Sequence, residues 1–163
     1  MIEEYQLLVS QAKSQRKQIK KTLKKLNALG AKKADSIIHP LQEEIVEEID
    51  CLKCANCCST TSPLFRDVDI KRLAKFVGEK ESDFIAKRLE LDPEDGYYAL
   101  KKSPCCFLGE DNYCAVYSAR PKACAEFPHT DRKNFIGISK LSEKNSRICP
   151  IVAKLLIKVE EQL

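Results

Sequence analysis

Tryptophan is absent from the 163 residues, methionine occurs once and glycine only five times. With seven prolines, 44% hydrophobic and 32% charged residues, this composition excludes a collagen-like or low-complexity chain. It predicts a compact, mostly helical protein. A long apolar run is also missing: the longest near the start, Leu7-Leu8-Val9, is too short for a membrane span or a signal peptide, and Met1-Ile-Glu-Glu-Tyr5 has no basic leader. We therefore expect a cytoplasmic protein with no membrane partner. Neither a glycine-rich phosphate loop, a Gly-x-Ser-x-Gly elbow nor a His-Glu-x-x-His helix is present, so the motifs of P-loop nucleotide chemistry, of serine hydrolases and of zinc proteases are lacking.

What the chain has in excess is cysteine, nine in all, and four of them fall within Cys51-Leu-Lys-Cys54-Ala-Asn-Cys57-Cys58. Cores use buried cysteines singly, as small apolar residues. Thiols two residues apart on a turn instead converge on a soft metal ion or an iron–sulfur cluster. A reducing compartment disfavours structural disulfides, and an odd count cannot be fully paired.

Charge is uneven. The net is +4, but residues 1–35 carry nine Lys or Arg against Glu3, Glu4 and Asp35, a local +6. Leu8, Ala12, Ile19, Leu23 and Leu26 follow helical spacing, so the lysines (Lys17, Lys20, Lys21, Lys24, Lys25) decorate an amphipathic helix ended by Gly30. Such a helix reads either as a contact for RNA, DNA or a membrane surface or as the solvated outer face of a helix packed on the core. The narrow stripe and the lack of aromatics among the lysines favour the latter.

A second helix is expected from the region of Asp35 or Pro40 to Ile49, with Pro40 near its start and Leu41, Ile45, Ile49 and Leu52 on one face. Further helices are expected at Val68 to Val77 with Asp67 as N-cap, at Ser82 to Leu89, and after Cys149-Pro150. A turn at Asp92-Pro93-Glu94-Asp95-Gly96 and short extended pieces at Tyr97 to Leu100 and Phe107 to Tyr117 supply minor β content.

Taken together, Cys51-x2-Cys54-x2-Cys57-Cys58, Cys105-x-Phe107-Leu108, Cys114-x2-Tyr117-x2-Arg120-Pro121-x2-Cys124-x2-Phe127-Pro128 and Cys149 resemble the YkgJ-type cysteine-cluster proteins over roughly residues 45–155. That family is described as zinc- or iron-chelating, and its domain also occurs in flagellin lysine N-methylases; methylation is not carried over, because the match covers only the cysteine domain. The resemblance implies eight metal ligands: Cys51, Cys54, Cys57, Cys58, Cys105, Cys114, Cys124 and Cys149. Cys106 is the ninth cysteine, where relatives commonly carry proline, and is expected not to be a ligand. Ala125 stands where many relatives have arginine.

Cys57 and Cys58 are adjacent and awkward partners on one tetrahedral ion, so they are expected to serve two centres unless one of them only supports a ligand; eight thiolates match two zinc ions, two clusters or one of each, and a single cluster using four cysteines with the others structural is also open. The ferredoxin-like run of three cysteines favours iron, with zinc as the rival. Arg120 is expected to brace the site, His129 is the best non-cysteine candidate for chemistry, and His39 is expected to be structural. The expected architecture is one small domain, mainly α with minor hairpin content, wrapped around a cysteine-lined metal centre: residues 1–34 form a basic helical extension and 35–163 the metal-binding domain. The expected function is metal binding through iron, as a 4Fe-4S cluster, or zinc, with a redox or accessory modification role. A structural zinc module contacting nucleic acid or protein through the basic helix is the alternative, and no protein partner is identified.

Overall fold

The computed structural model describes residues 1–93 and 96–163. It is mainly helical with one two-stranded antiparallel hairpin, as the composition predicts. The chain divides into two compact units, one formed by residues 1–54 and 128–163, the other by residues 55–127.

In the first unit, α1 (Glu3–Ser14), α2 (Arg16–Leu29) and α3 (Ala31–Glu48) precede the short α4 (Cys51–Cys54), and α9 (Ser139–Asn145) and α10 (Pro150–Glu160) close it. The α10 sequence is apolar on nearly every face, which requires partners all round. It buries Ile151, Val152, Ala153, Leu155, Leu156 and Val159 against α1, α2 and α3. Those helices answer with Tyr5, Val9 and Ala12, then Ile19, Leu23 and Leu26, then Ala34, Ile38, Leu41 and Ile45. The expected single N-terminal helix is two. Ser14 Oγ donates to the Gln11 carbonyl at 2.8 Å in the last turn of α1, the kind of local bond that competes with helix continuation. Gly30 ends α2 with φ +79°, and Lys17, Lys20, Lys21, Lys24 and Lys25 are all exposed.

Pro40 corrects the sequence reading. It lies inside α3 rather than near its start, although its ring cannot donate to the preceding turn and costs about 3 kcal/mol in a helix interior. The apolar stripe runs unbroken through it, from Ala34 and Ile38 to Leu41 and Ile45. Asp35 adds a tie, accepting the amides of Asn134 at 2.7 Å and Phe135 at 2.9 Å. Tertiary burial outweighs the proline penalty. Leu52, placed on the same apolar face from the sequence, is instead 37% exposed, because the chain turns at Ile49 before α4 begins.

In the second unit, α5 (Asn56–Thr60), α6 (Asp67–Phe76) and α7 (Glu81–Arg88) lead into β1 (Leu89–Leu91) and β2 (Tyr98–Leu100), and α8 (Lys122–Glu126) follows a 3-10 turn at Tyr117–Ala119. The strands pair with Leu89 opposite Leu100 and Leu91 opposite Tyr98. Two strands alone are marginal in water; here they lie on a core of Phe65, Ile70, Leu73, Ala74, Phe84, Val116 and Ala119. Leu89 ends up in a strand, not at a helix end. In the turn expected at Asp92 to Gly96, Glu94 and Asp95 lie outside the described residues; Gly96 (φ +67°) donates to the Asp92 carbonyl at 3.0 Å. From Phe107 to Tyr117 the chain makes one antiparallel bridge, Leu108 with Cys114, around a turn at Asn112. Asp67 is the first residue of α6 and not its cap. Asp69 reaches back to the Arg66 amide instead.

Candidate metal centre

All nine cysteines are described, and none forms a disulfide. The first unit carries Cys51, Cys54 and Cys149; the second carries Cys57, Cys58, Cys105, Cys106, Cys114 and Cys124.

Cys51 and Cys54 stand three residues apart on the single turn of α4, hence on one face. That turn is held at both ends. The Asp50 amide donates to the Tyr5 hydroxyl at 3.0 Å, Asp50 Oδ1 accepts the Leu52 amide at 2.8 Å, and the Ile2 amide donates to the Lys53 carbonyl at 3.2 Å. Cys149 flanks the start of α10, where the amides of Val152 and Ile151 donate toward its sulfur. Burial pushes its thiol up to about 12, those amides oppose the shift, and the charges of Cys51 and Cys54 add to it. Burial thus favours the neutral thiol, and a bound cation would favour the thiolate.

In the second unit, the Cys105 amide donates to the Cys58 carbonyl at 2.8 Å, joining segments 47 residues apart. The Cys57 and Cys58 sulfurs are 3.9 Å apart, and the hydrogen bond between them, against burial, brings the Cys58 thiol down to about 7. In the Cys105–Cys106 pair, a hydrogen bond between the thiols keeps the proton on Cys105. It holds Cys105 well above the ordinary thiol range, burial adding to the shift, and lowers Cys106 to about 7 with help from Arg88. Burial pushes Cys124 up to about 12, and the nearby charges of Cys58 and Cys114 reinforce the shift. Cys58 thus bears on both Cys105 and Cys124, and Cys114 on Cys124. Folding thus brings Cys58 to the 105–124 stretch that carries the other three thiols.

The residue that fixes the Cys124 segment had no motif to announce it. Asp69, wholly buried, accepts Arg66 Nε at 3.0 Å, Arg72 Nη2 at 2.7 Å and the amide of Lys122, the first residue of α8, at 3.2 Å. Arg72 continues the clamp, donating from Nε to the Ala119 carbonyl at 3.2 Å and from Nη2 to the Arg120 carbonyl at 2.9 Å. Burial raises the Asp69 pKa, but the hydrogen bonds from Arg66, Arg72 and the Lys122 amide outweigh it and hold the carboxyl at about 2. Arg120 has a smaller part than expected: its Nη1 donates to the Tyr117 carbonyl at 2.7 Å and its guanidinium covers the Tyr117 ring at 3.9 Å, while its charge favours the Cys124 thiolate. The bracing expected of Arg120 falls largely to Arg72.

His39 is structural, with Nε2 3.1 Å from the Arg132 carbonyl oxygen, to which it donates in the Nε2–H tautomer. His129 sits in a left-handed backbone conformation, φ +64°. Among the described residues, no three His, Cys, Asp or Glu side chains are already arranged to hold a metal ion. The chemistry of the donor set nevertheless fits a thiophilic metal: it is all sulfur, drawn together in each unit, with backbone amides and cationic side chains beside it.

Residues 50–150 match the family CxxCxxCC, whose description reads "Putative zinc- or iron-chelating domain". The chain belongs to the CxxCxxCC family. No curated protein and no solved structure matches the chain. The CxxCxxCC match begins immediately before Cys51 and ends at Pro150, immediately after Cys149, so all nine thiols and the Asp69–Arg72 clamp lie inside it. It assigns the cysteine-rich region to zinc or iron chelation.

Proposed function

We propose that the chain is a cytoplasmic metal-binding protein that holds iron, as a 4Fe-4S cluster, through thiolate ligation. The observation that carries this reading is that Cys58 is brought to the stretch carrying Cys105, Cys114 and Cys124 within a single compact unit, the Cys105 amide donating to the Cys58 carbonyl and the charges of Cys58 and Cys114 acting on Cys124. Four thiolates are the complete ligand set of such a cluster. Cys51, Cys54 and Cys149 form a second, three-thiol set in the other unit. Cys57, whose sulfur lies 3.9 Å from that of Cys58, is the eighth ligand, outside the set of four.

Each thiol pushed up by burial gains most from a metal, because ligation removes its proton and supplies the counter-charge in one step. A bound cluster would supply one-electron chemistry; the chain's own residues position sulfur, donate amide hydrogen bonds and place Arg88 and Arg120 beside the thiolates.

The deciding experiment is metal and sulfide analysis with a visible spectrum, on protein purified without oxygen from cells supplied with both iron and zinc. Iron with inorganic sulfide and broad visible absorption is the expected result. Zinc with a colourless spectrum overturns the iron assignment and makes this a structural zinc module.

A further inference from the structure

We propose that a cationic cleft in the unit formed by residues 1–54 and 128–163 binds a polyphosphate anion, at a site that contains none of the cysteines. The cleft, about 530 Å³, is lined by Lys13, Arg16, Lys144, Arg147 and Ile148. Its volume falls within the range typical of small-ligand sites. Lys13 lies in the last turn of α1, Arg16 opens α2, Lys144 lies in the last turn of α9, and Arg147 follows that helix. The two pairs come from opposite ends of the chain, so only folding brings them together.

Four cations face one carboxylate. Glu143 is 8% exposed, and its Oε1 stands 2.7 Å from Arg16 Nε and 3.4 Å from Arg147 Nε. A single oxygen thus attracts both guanidiniums and leaves a local excess of three positive charges. Arg147 Nε is itself buried and donates no hydrogen bond among the described residues. A cluster of like charges is costly, and an anion in the cleft relieves it.

Phosphate is the chemistry that suits these side chains. Guanidinium forks match phosphate oxygens in pairs, ammonium groups serve as point charges, and an excess of three matches a chain of phosphates better than one carboxylate. Whether that chain is free or carried on a nucleotide, the shared ligand is the polyphosphate.

The test uses the full, metal-replete chain titrated calorimetrically with inorganic tripolyphosphate and, in a second arm, with ATP. Saturable one-site binding is expected, weakening as salt rises. ATP equal to tripolyphosphate means that the phosphate chain suffices, and tighter ATP means that the nucleoside adds contacts; both place polyphosphate in the cleft. The double variant Lys13→Gln/Lys144→Gln, at two exposed positions, is expected to bind about tenfold more weakly, with its melting temperature unchanged. A control pair on the same unit, Lys32→Gln/Lys33→Gln, should stay within about twofold, as befits solvated charges away from a site. Arg147→Lys, which keeps charge but loses the fork, should also weaken binding. Absence of saturable binding, an equal loss in the control pair, or binding of a single-stranded RNA that tripolyphosphate does not displace would each overturn the proposal.

Discussion

Replacing Asp69 by asparagine keeps the shape of the side chain and removes its charge, and the consequence can be worked from the clamp. The buried carboxylate receives Arg66 Nε, Arg72 Nη2 and the Lys122 amide at 2.7–3.2 Å. Hydrogen bonds to a charged group contribute about 1.5–3 kcal/mol each. The two arginine side chains are 45% and 43% exposed, so water satisfies them in part when the charge is lost, and we discount the sum to about 3 kcal/mol. The depressed pKa leads independently to a similar figure: a carboxyl held at about 2 instead of near its unfolded value contributes about 2 kcal/mol at neutral pH. For a chain of this size that is a fall in melting temperature of about 5–10 °C.

The pH dependence has a definite sign. Because the folded pKa is lowered, the contribution is complete above the unfolded value, near 3.9, and is lost as pH falls toward the folded value of about 2. The stability gap between wild type and Asp69→Asn should be level from pH 7 to about 5 and close progressively below that. Since Lys122 lies two residues before Cys124, the variant should also release metal to a chelator faster. Urea melts across pH and chelator-release kinetics check both halves. A gap under about 0.5 kcal/mol at pH 7, the range of ordinary surface substitutions, with unchanged release, would refute the clamp.

Three further outcomes are expected. Arg72→Lys keeps a positive charge near Asp69 but cannot span the Ala119 and Arg120 carbonyls, so it should cost about 1 kcal/mol in urea melts and speed metal release. Cys106→Ser should leave metal content unchanged, whereas Cys105→Ser and Cys124→Ser should each lower it; equal losses by elemental analysis would make Cys106 a ligand. Phe84→Ala should destabilise the second unit by about 3–5 kcal/mol, because Phe84 is wholly buried, stacks on Phe107 at 6.1 Å and lies under the Arg88 guanidinium.

Periodicity was a reliable guide where a segment has one dominant apolar face. Ile151, Val152, Leu155, Leu156 and Val159 are buried as their spacing predicts, and Cys149-Pro150 does open the last helix. It was less reliable where long-range contacts override local preference, as at Pro40 inside α3 and at Leu89, which leaves a helix to pair with Leu100. The α9 helix escaped notice because its buried residues, Ser142, Glu143 and Asn145, are polar, and no hydrophobic count detects them.

The sequence by itself determined the donor chemistry: nine thiols, four of them within eight residues, a spacing that packing alone does not explain and that suits metal ligation. Tertiary structure decided which thiols are neighbours. Cys58 meets Cys105 through a backbone hydrogen bond, Cys149 approaches Cys51 and Cys54 from more than half the chain length away, and Asp69 with Arg72 holds the segment that carries Cys124. Local spacing encodes what a residue can bind. Who stands beside it depends on burying apolar faces and satisfying buried charge over long stretches of chain, and these interactions leave no local pattern.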